Sequence, residues 1–452
     1  MKFEQNMKIG GDGLSASWLS SFSLLFLVLT MITSCRDNDE YASKEKYPAL
    51  EQLDTVLMQK LLDTGLDIVW IETEGKEEPT YEIADAPEGC WGGSIKNATK
   101  VPGHVVVQAQ EGVVYDSGWF DDDQSGMKIK VRGNWSARRP KKPYKMKLQK
   151  KADLLGRGDK RFEDKNWLLL PFFDLNYMIG LKVNDLMGLQ WTPKYRFANV
   201  VFNGDFRGLY MLMESVERNA DCRLNVDKQT GYIVELDAYW WKEKVYAKAS
   251  FEEPMNYTFK YPDEDDMTSE GLAYIQDVLN RAENSTRDGS YENYIDVESF
   301  ARWMLAHDIL GNIDGAGSNI FLTKYNNSDN ELLKMGCLWD FDVIMKSGEW
   351  DEIHGRYFFK ELFASENKAF VNRYKSLWLQ NRSEVFIPLM DYLAAYLKTD
   401  LRKSVDISIT MNNERWRDEM GEVPLSEDII LAAQTYFAQR KEWLSERMDS
   451  VQ

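Results

Sequence analysis

Asp314 and Asn319 stand five residues apart in a glycine-rich stretch, Gly311-Asn312-Ile313-Asp314-Gly315-Ala316-Gly317-Ser318-Asn319. Asp340 and Asp342 follow in Trp339-Asp340-Phe341-Asp342. Carboxylates and amides are hard oxygen donors, the type that fixes Mg2+ against the negative charges of a phosphoryl donor. One further carboxylate could orient an acceptor hydroxyl and take its proton. Counter-charges are at hand. Lys145 and Lys147 fall on one face of Tyr144-Lys145-Met146-Lys147-Leu148, and Arg132 ends the preceding basic run, where ammonium and guanidinium groups could meet a phosphate. An Asp-x-x-x-x-Asn spacing followed by Asp-Phe is the order of the base and metal segments in one class of phosphoryl-transfer site, with Asp342 here in the place of a glycine. Each piece alone is bland, since Asp-Gly-x-Gly is usually a turn and a basic strand is usually a solvated face. A carboxylate pair such as Asp340/Asp342 in an apolar frame is less so, because burying unpaired charge costs free energy.

Those residues need elements to hold them. Apolar spacing predicts a helix over Val297–Leu310 that delivers the glycine-rich loop. Strands over 320–325 and 332–338, joined by a turn at 326–330, would form a hairpin returning the chain to Trp339. Upstream, Met127–Val131 and 144–148 alternate apolar and basic residues, the period of a half-buried strand. Further strands are expected at 67–72, 104–110, 165–171 and 231–237, with a helix at 178–189. The runs 197–202 and 208–213 flank Asn203-Gly204-Asp205, a strong hairpin signal. Helices are expected at 50–62, 272–282, 375–397 and 429–447, the third kinked or split by Pro388. Strands come first and helices dominate later, so the fold class is α+β with a β-rich N-terminal lobe and a mostly helical C-terminal lobe.

Composition narrows the function. The chain has 452 residues, and 55 Lys+Arg against 73 Asp+Glu leave a formal charge of −18. That balance argues against nucleic acid as a partner, because phosphate-backbone binding runs on clustered cations. Fifteen Trp, 22 Tyr and 21 Phe suit a large mixed core. Three histidines (His104, His307, His354) do not make a poly-histidine metal centre, and Cys90, Cys222 and Cys337 read as inert thiols. The Asp121-Asp122-Asp123 triplet lacks the spacing of a calcium loop and reads as solvated. Residues 18–31 form an apolar run of signal-peptide length, shorter than the about 20 apolar residues a spanning helix needs. The run ends in Ile32-Thr33-Ser34-Cys35, which resembles a bacterial lipobox. The resemblance implies cleavage before Cys35 and anchorage in the membrane by its acylated thiol. The acidic stretch Arg36-Asp37-Asn38-Asp39-Glu40 resembles the surface-export signal of Gram-negative lipoproteins, implying an exported protein on the outer membrane or cell surface. The expected order is a leader (1–34), an acidic tether (35–47), a β-rich segment (48–126) and a main domain (127–448).

Within that main domain the chain resembles the CotH kinase-like family, atypical protein kinases named for a spore-coat kinase. The matching segments are Arg132-Gly133-Asn134, Lys141-Lys142-Pro143-Tyr144-Lys145-Met146-Lys147-Leu148, Lys165-Asn166-Trp167-Leu168-Leu169-Leu170 and Gly208-Leu209-Tyr210-Met211-Leu212-Met213-Glu214. They continue, in the family's order, through Gly231-Tyr232-Ile233-Val234-Glu235-Leu236-Asp237, Gly311-Asn312-Ile313-Asp314 and Trp339-Asp340-Phe341-Asp342. The resemblance implies a two-lobed, distantly protein-kinase-like fold and an ATP- and Mg2+-dependent phosphotransferase acting on Ser or Thr hydroxyls of a protein substrate. Asp314 would be the catalytic carboxylate and Asp340 the metal-binding one, with Asn319 and Asp342 supporting the metal. Lys145 or Lys147 would contact phosphate, joined by Arg132. Glu214 would anchor that lysine or join the adenine-side hydrogen-bond network.

Two stretches depart from the family's pattern. Ile179-Gly180 stands where an Arg-Asn pair is common, and Val343-Ile344-Met345-Lys346 replaces a Phe-Gly pair. A catalytically inactive CotH-fold surface lipoprotein, binding peptide, glycan or an envelope protein, is therefore the alternative. A metal-dependent hydrolase using the same carboxylates is a third reading.

Overall fold

Alternating burial builds the first half of the chain into one sheet. The computed structural model describes residues 55–346 and 352–451; the leader, Cys35, the tether and the start of the 50–62 helix lie outside the described residues. Among the described residues the first helix, α1 (Thr55–Asp63), leads into β1 (Asp67–Thr73), a small β2–β3 hairpin (Glu82–Ala84, Ser94–Lys96), β4 (Val101–Ala109) and β5 (Gly112–Asp116). Then come β6 (Met127–Val131), β7 (Tyr144–Ala152), β8 (Asp164–Pro171), α2 (Asn176–Leu186), β9 (Tyr195–Phe202) and β10 (Asp205–Glu214). The sheet order is β1-β9-β10-β8-β7-β6-β4-β5, and β1 also pairs with β4, so the sheet closes on itself. Its inner face is apolar from every strand of the ring, with Val69, Val105, Ile129, Met146, Trp167, Val200 and Leu212 sharing one core. The β9–β10 hairpin turns at Asn203-Gly204 as expected, with both residues at positive φ.

The expected division at 126/127 does not appear in this sheet. β4 pairs with β6, and β1 sits between β4 and β9, so strands on either side of residue 127 share a ladder and a core. All described residues from 55 onward belong to one compact unit.

The second half carries a smaller sheet and the helices. β11 (Tyr232–Asp237), β12 (Ala247–Lys248), β13 (Asn256–Tyr261), β14 (Ile320–Lys324) and β15 (Lys334–Met335) form a sheet of order β12-β13-β11-β14-β15. The strand expected over 332–338 shrinks to β15, because only Lys334 and Met335 keep a partner on β14. Helices α3 (Ser269–Asp288), α4 (Val297–Leu310), α5 (Tyr357–Ala364), α6 (Ala369–Glu384), α7 (Phe386–Tyr396), α8 (Asp400–Met420) and α9 (Ser426–Arg447) complete the fold. The run expected over 375–397 is split at Val385, which leaves Pro388 in the first turn of α7, where a missing N–H is harmless. Helix α4 is buried almost all round, from Phe300 to Leu310, and so forms the centre of the helical region.

One lysine joins the two halves. Lys141 is 1% exposed, and its Nζ donates to Phe172 O (3.1 Å), Leu209 O (2.6 Å) and Asn412 Oδ1 (2.7 Å) on α8. Burial holds its ammonium well below the usual lysine range. The described residues include no helix long and apolar enough to cross a membrane.

Candidate functional site

The site grows from the ends of α4. Asp296 caps its start by accepting from Ser299 N (2.7 Å). Gly311 ends it in the left-handed region (φ 55), which a side chain would strain; a methyl there would also meet the Tyr436 hydroxyl at 2.1 Å. The chain is thereby released into the 312–319 loop. Beyond the loop, β14 and β15 bring it back to Trp339, and Met345 N and Lys346 N close on the Leu310 and Gly311 carbonyls at 2.7 and 3.2 Å. The stretch that departs from the family's Phe-Gly pair thus ties the second motif to the end of α4.

One fully buried amide couples the two motifs. Asn312 Oδ1 accepts from Asp314 N (3.1 Å), while Asn312 Nδ2 donates to Asp340 O (2.9 Å). Asp340 itself takes a positive φ of 60. A non-glycine residue in that region persists only where its surroundings over-determine it, and Asn312 is one such constraint. Phe341 is fully buried and meets Tyr177 edge-on at 5.4 Å, and the Tyr177 hydroxyl donates to Asp340 Oδ1 at 3.4 Å. Gly180 explains the other departure: a methyl at its Cβ position would sit 2.1 Å from Phe341 Cδ1. A larger residue cannot occupy that place while the Phe341 ring does.

Electrostatics single out the same carboxyls. Burial and the Asp340 charge push the Asp314 carboxyl up to about 6. Asp342 is exposed at the rim of the site, yet crowding by surrounding protein, then Asp340, Asp174 and Asp314, push it up to about 7 against the pull of Arg139. Asp340 is raised by burial, opposed by Asp342 N, Arg132 and Tyr177. Asp174 is pushed up to about 6, mainly by burial, with Lys346 pulling the other way. Asp342 thus feels the charges of three other carboxyls, a balance a cation would relieve. Among the described residues, no three His, Cys, Asp or Glu side chains converge tightly enough to ligate one ion. That donor set still fits Mg2+, which takes one or two carboxylates and completes its shell with phosphate oxygens and water.

The remaining expected residues are placed as follows. Arg132 lies close enough to Asp340 for its charge to be felt there. Asn319 has φ 68, and its N–H donates to Glu235 Oε1 (3.2 Å). Lys145 is half-buried and pairs with Glu217 at 2.6 Å, whereas Lys147 is exposed. Glu214 does not anchor either lysine. It is fully buried, 2.8 Å from Arg157 and accepting from Lys194 N at 2.9 Å, because it ends β10 on the side away from Lys145.

Sequence reasoning missed several supports. Asp237 accepts from Ser318 Oγ (3.1 Å) and Tyr239 N (2.8 Å), and Lys260 pairs with Glu235 at 2.6 Å. Together they hold the Ser318-Asn319 arm of the loop against β11. The matched segment ending in Glu235-Leu236-Asp237 was the available signal; Asp174, Arg139 and Lys260 gave none. His307, below the loop, has both ring nitrogens unpaired and is pushed down to about 3 by burial, so it stays neutral.

Comparison with curated proteins finds no match. The model of the CotH kinase protein family matches residues 129–444, well over half of the chain and spanning both motifs, and the chain belongs to that family.

Proposed function

We propose that this protein is an ATP- and Mg2+-dependent phosphotransferase that phosphorylates hydroxyls of an exported protein, anchored to the outer membrane or cell surface through Cys35. The observation carrying the reading is the coupling of Asp314 to Asp340 through Asn312, with both carboxyls raised by burial and Asp314 further by the Asp340 charge. Kinase-like lobes follow from the same reading. Helix α4, its loop, the β14/β15 hairpin and Trp339-Asp340-Phe341-Asp342 run in the order of a kinase's catalytic and metal segments.

When bound, Mg-ATP would supply the transferable phosphoryl group and the divalent charge that offsets it. Asp340 and Asp342 would hold the metal, with Asn319 in support, and Arg132 with Lys145 or Lys147 would meet phosphate oxygens. Asp314, its carboxyl near 6, is ionised at neutral pH yet basic enough to accept the acceptor hydroxyl's proton on a carboxylate oxygen. Tyr177 and Asn312 keep Asp340 in place from its side-chain and backbone sides.

The test is a radiolabelled-ATP assay of wild type and Asp314→Ala with Mg2+, beside calorimetry of nucleotide binding. Label transfer by wild type and its loss in Asp314→Ala, with Mg-ATP still bound, is expected. No transfer by either protein and no nucleotide binding would leave the interaction-module reading standing. Free phosphate without labelled protein would indicate a hydrolase.

A further inference from the structure

Asp314 does not face solvent alone. Gly317 follows it in the loop with an ordinary φ of −106, and a methyl at its Cβ position would sit 3.8 Å from Asp314 Oδ1. The same methyl would sit 3.5 Å from Cζ3 of Trp91, so the indole edge and the Asp314 carboxylate both come within van der Waals reach of one point beside Gly317. A methyl on Gly317 would thus touch both at ordinary contact distance, which places Trp91 beside the approach to Asp314. Tyr239 lies near enough for the Asp314 charge, after burial, to raise its phenol. Its hydroxyl would be 3.7 Å from a methyl on Gly92, next to Trp91.

Trp91 and Gly92 belong to the segment between β2 and β3, which precedes the family-matched region 129–444. That segment is fastened. Lys242 Nζ donates to Asn134 Oδ1 (2.5 Å) and Ser94 Oγ (3.0 Å), and Ser94 Oγ donates to Asn134 Oδ1 (2.5 Å). One ammonium thus ties the start of β3, the loop after β6 and the turn after β11. Burial holds Lys242 below the usual lysine range, against the pull of Asp237 and Glu243.

We propose that the segment between β2 and β3 forms the acceptor wall of the site, with Trp91 as a specificity-determining residue and Gly317 as the floor of the acceptor's path to Asp314. The inference rests on the phosphotransferase reading. If Asp314 takes the acceptor's proton, whatever shares its free space is the acceptor. The phosphates belong instead with Asp340, Asp342 and Arg132, where the Tyr177 hydroxyl donates to Asp340 Oδ1. The acceptor's neighbouring residues then run along the indole, and a segment outside the matched domain decides which sequences are accepted.

The experiment uses the full chain, Mg-ATP and a degenerate Ser/Thr peptide library. Trp91→Ala is expected to change the preferred residues flanking the labelled hydroxyl and to raise the library KM about tenfold. Gly317→Ala fills the floor without straining the backbone and is expected to lower transfer about tenfold. In both variants the Mg-ATP Kd by calorimetry stays within about twofold of wild type. An unchanged flanking preference in Trp91→Ala, or a loss of nucleotide affinity matching the loss of transfer, would overturn the acceptor assignment. Nucleotide binding by wild type with no peptide labelled would overturn it too. Absence of Mg-ATP binding in wild type is the separate outcome that removes the phosphotransferase reading itself.

Discussion

Replacing Gly180 by alanine tests how tightly the second motif is seated. Two effects oppose each other. Alanine in a helix interior is favoured over glycine by about 1 kcal/mol, so without other contacts the variant would be more stable. The new methyl would however lie 2.1, 2.4 and 2.5 Å from Phe341 Cδ1, Cγ and Cε1. Carbon atoms prefer about 3.5–4.0 Å, so the ring would have to retreat by more than about 1 Å. Phe341 is fully buried with Tyr177 against its edge, and inserting a methylene into such a core costs about 1–3 kcal/mol. Clash minus propensity leaves Gly180→Ala destabilised by about 1 kcal/mol, within a range of about 0–2. Urea denaturation at matched m-value reads this difference. Adding Phe341→Leu should relieve the clash, giving a favourable coupling of about 1 kcal/mol in a double-mutant cycle. A rise in the midpoint of the single variant, by the helix-propensity amount, would refute the seating of Phe341 on Gly180.

Other outcomes follow from the same geometry. Asn312→Ala leaves the Asp340 carbonyl and the Asp314 N–H without their partner, and should cost about 1–3 kcal/mol in urea melts while weakening Mg-ATP binding. Lys141→Ala removes the donor to three buried oxygens and should cost more than about 3 kcal/mol, measured the same way. Asp314 and Asp342 have folded values of about 6 and 7 against 3.8 for a free aspartate, so the native chain keeps protons that the unfolded chain has released. Their contribution to stability therefore falls as pH rises from about 4 to about 7. Asp314→Asn should raise the thermal midpoint at pH 8 with the gain fading toward pH 4, and Mg2+ should raise the wild-type midpoint more at pH 8 than at pH 5. Glu217→Ala should alter nucleotide KM by freeing Lys145, whereas Glu214→Ala should show its effect in stability, because it removes the buried one of the two carboxylates that hold Arg157.

What could be read from the sequence followed local pattern. Alternation placed β6 and the start of β7, Asn203-Gly204 placed the β9–β10 turn, and apolar spacing placed α4. Helix α8 escaped notice although Val405, Ile409, Asn412 and Trp416 recur at helical spacing. Its inward stripe carries Asn412, which is there to accept from Lys141 and Leu209 N, so the apolar signal is interrupted by a polar residue with a distant partner. Strand β13 is likewise fixed by pairing with β11 rather than by its own period. Asp314 and Asp340 stood out because their motifs are contiguous. Asp174 did not, because its place beside Asp342 depends on α2 folding over the second motif. Lys145 takes Glu217 as its partner, three positions beyond Glu214 and past the end of β10, where direction changes and sequence does not say which way.

The closure of the large sheet separates the unit of ancestry from the unit of folding. The family match begins at residue 129, inside β6, so a fragment cut to that boundary would lose β1 and β4 from the ring, and β5 with them. What remained would be an open ladder ending in β9 on one side and the stump of β6 on the other, each offering unpaired N–H and C=O groups. The core would lose Val69, Ile71, Val105 and Val107 and lie open to water along that gap. Such a piece is a template for strand addition by its own copies and should precipitate or assemble into chains. In this protein the residues before the recognisable domain act as the staves that close its barrel.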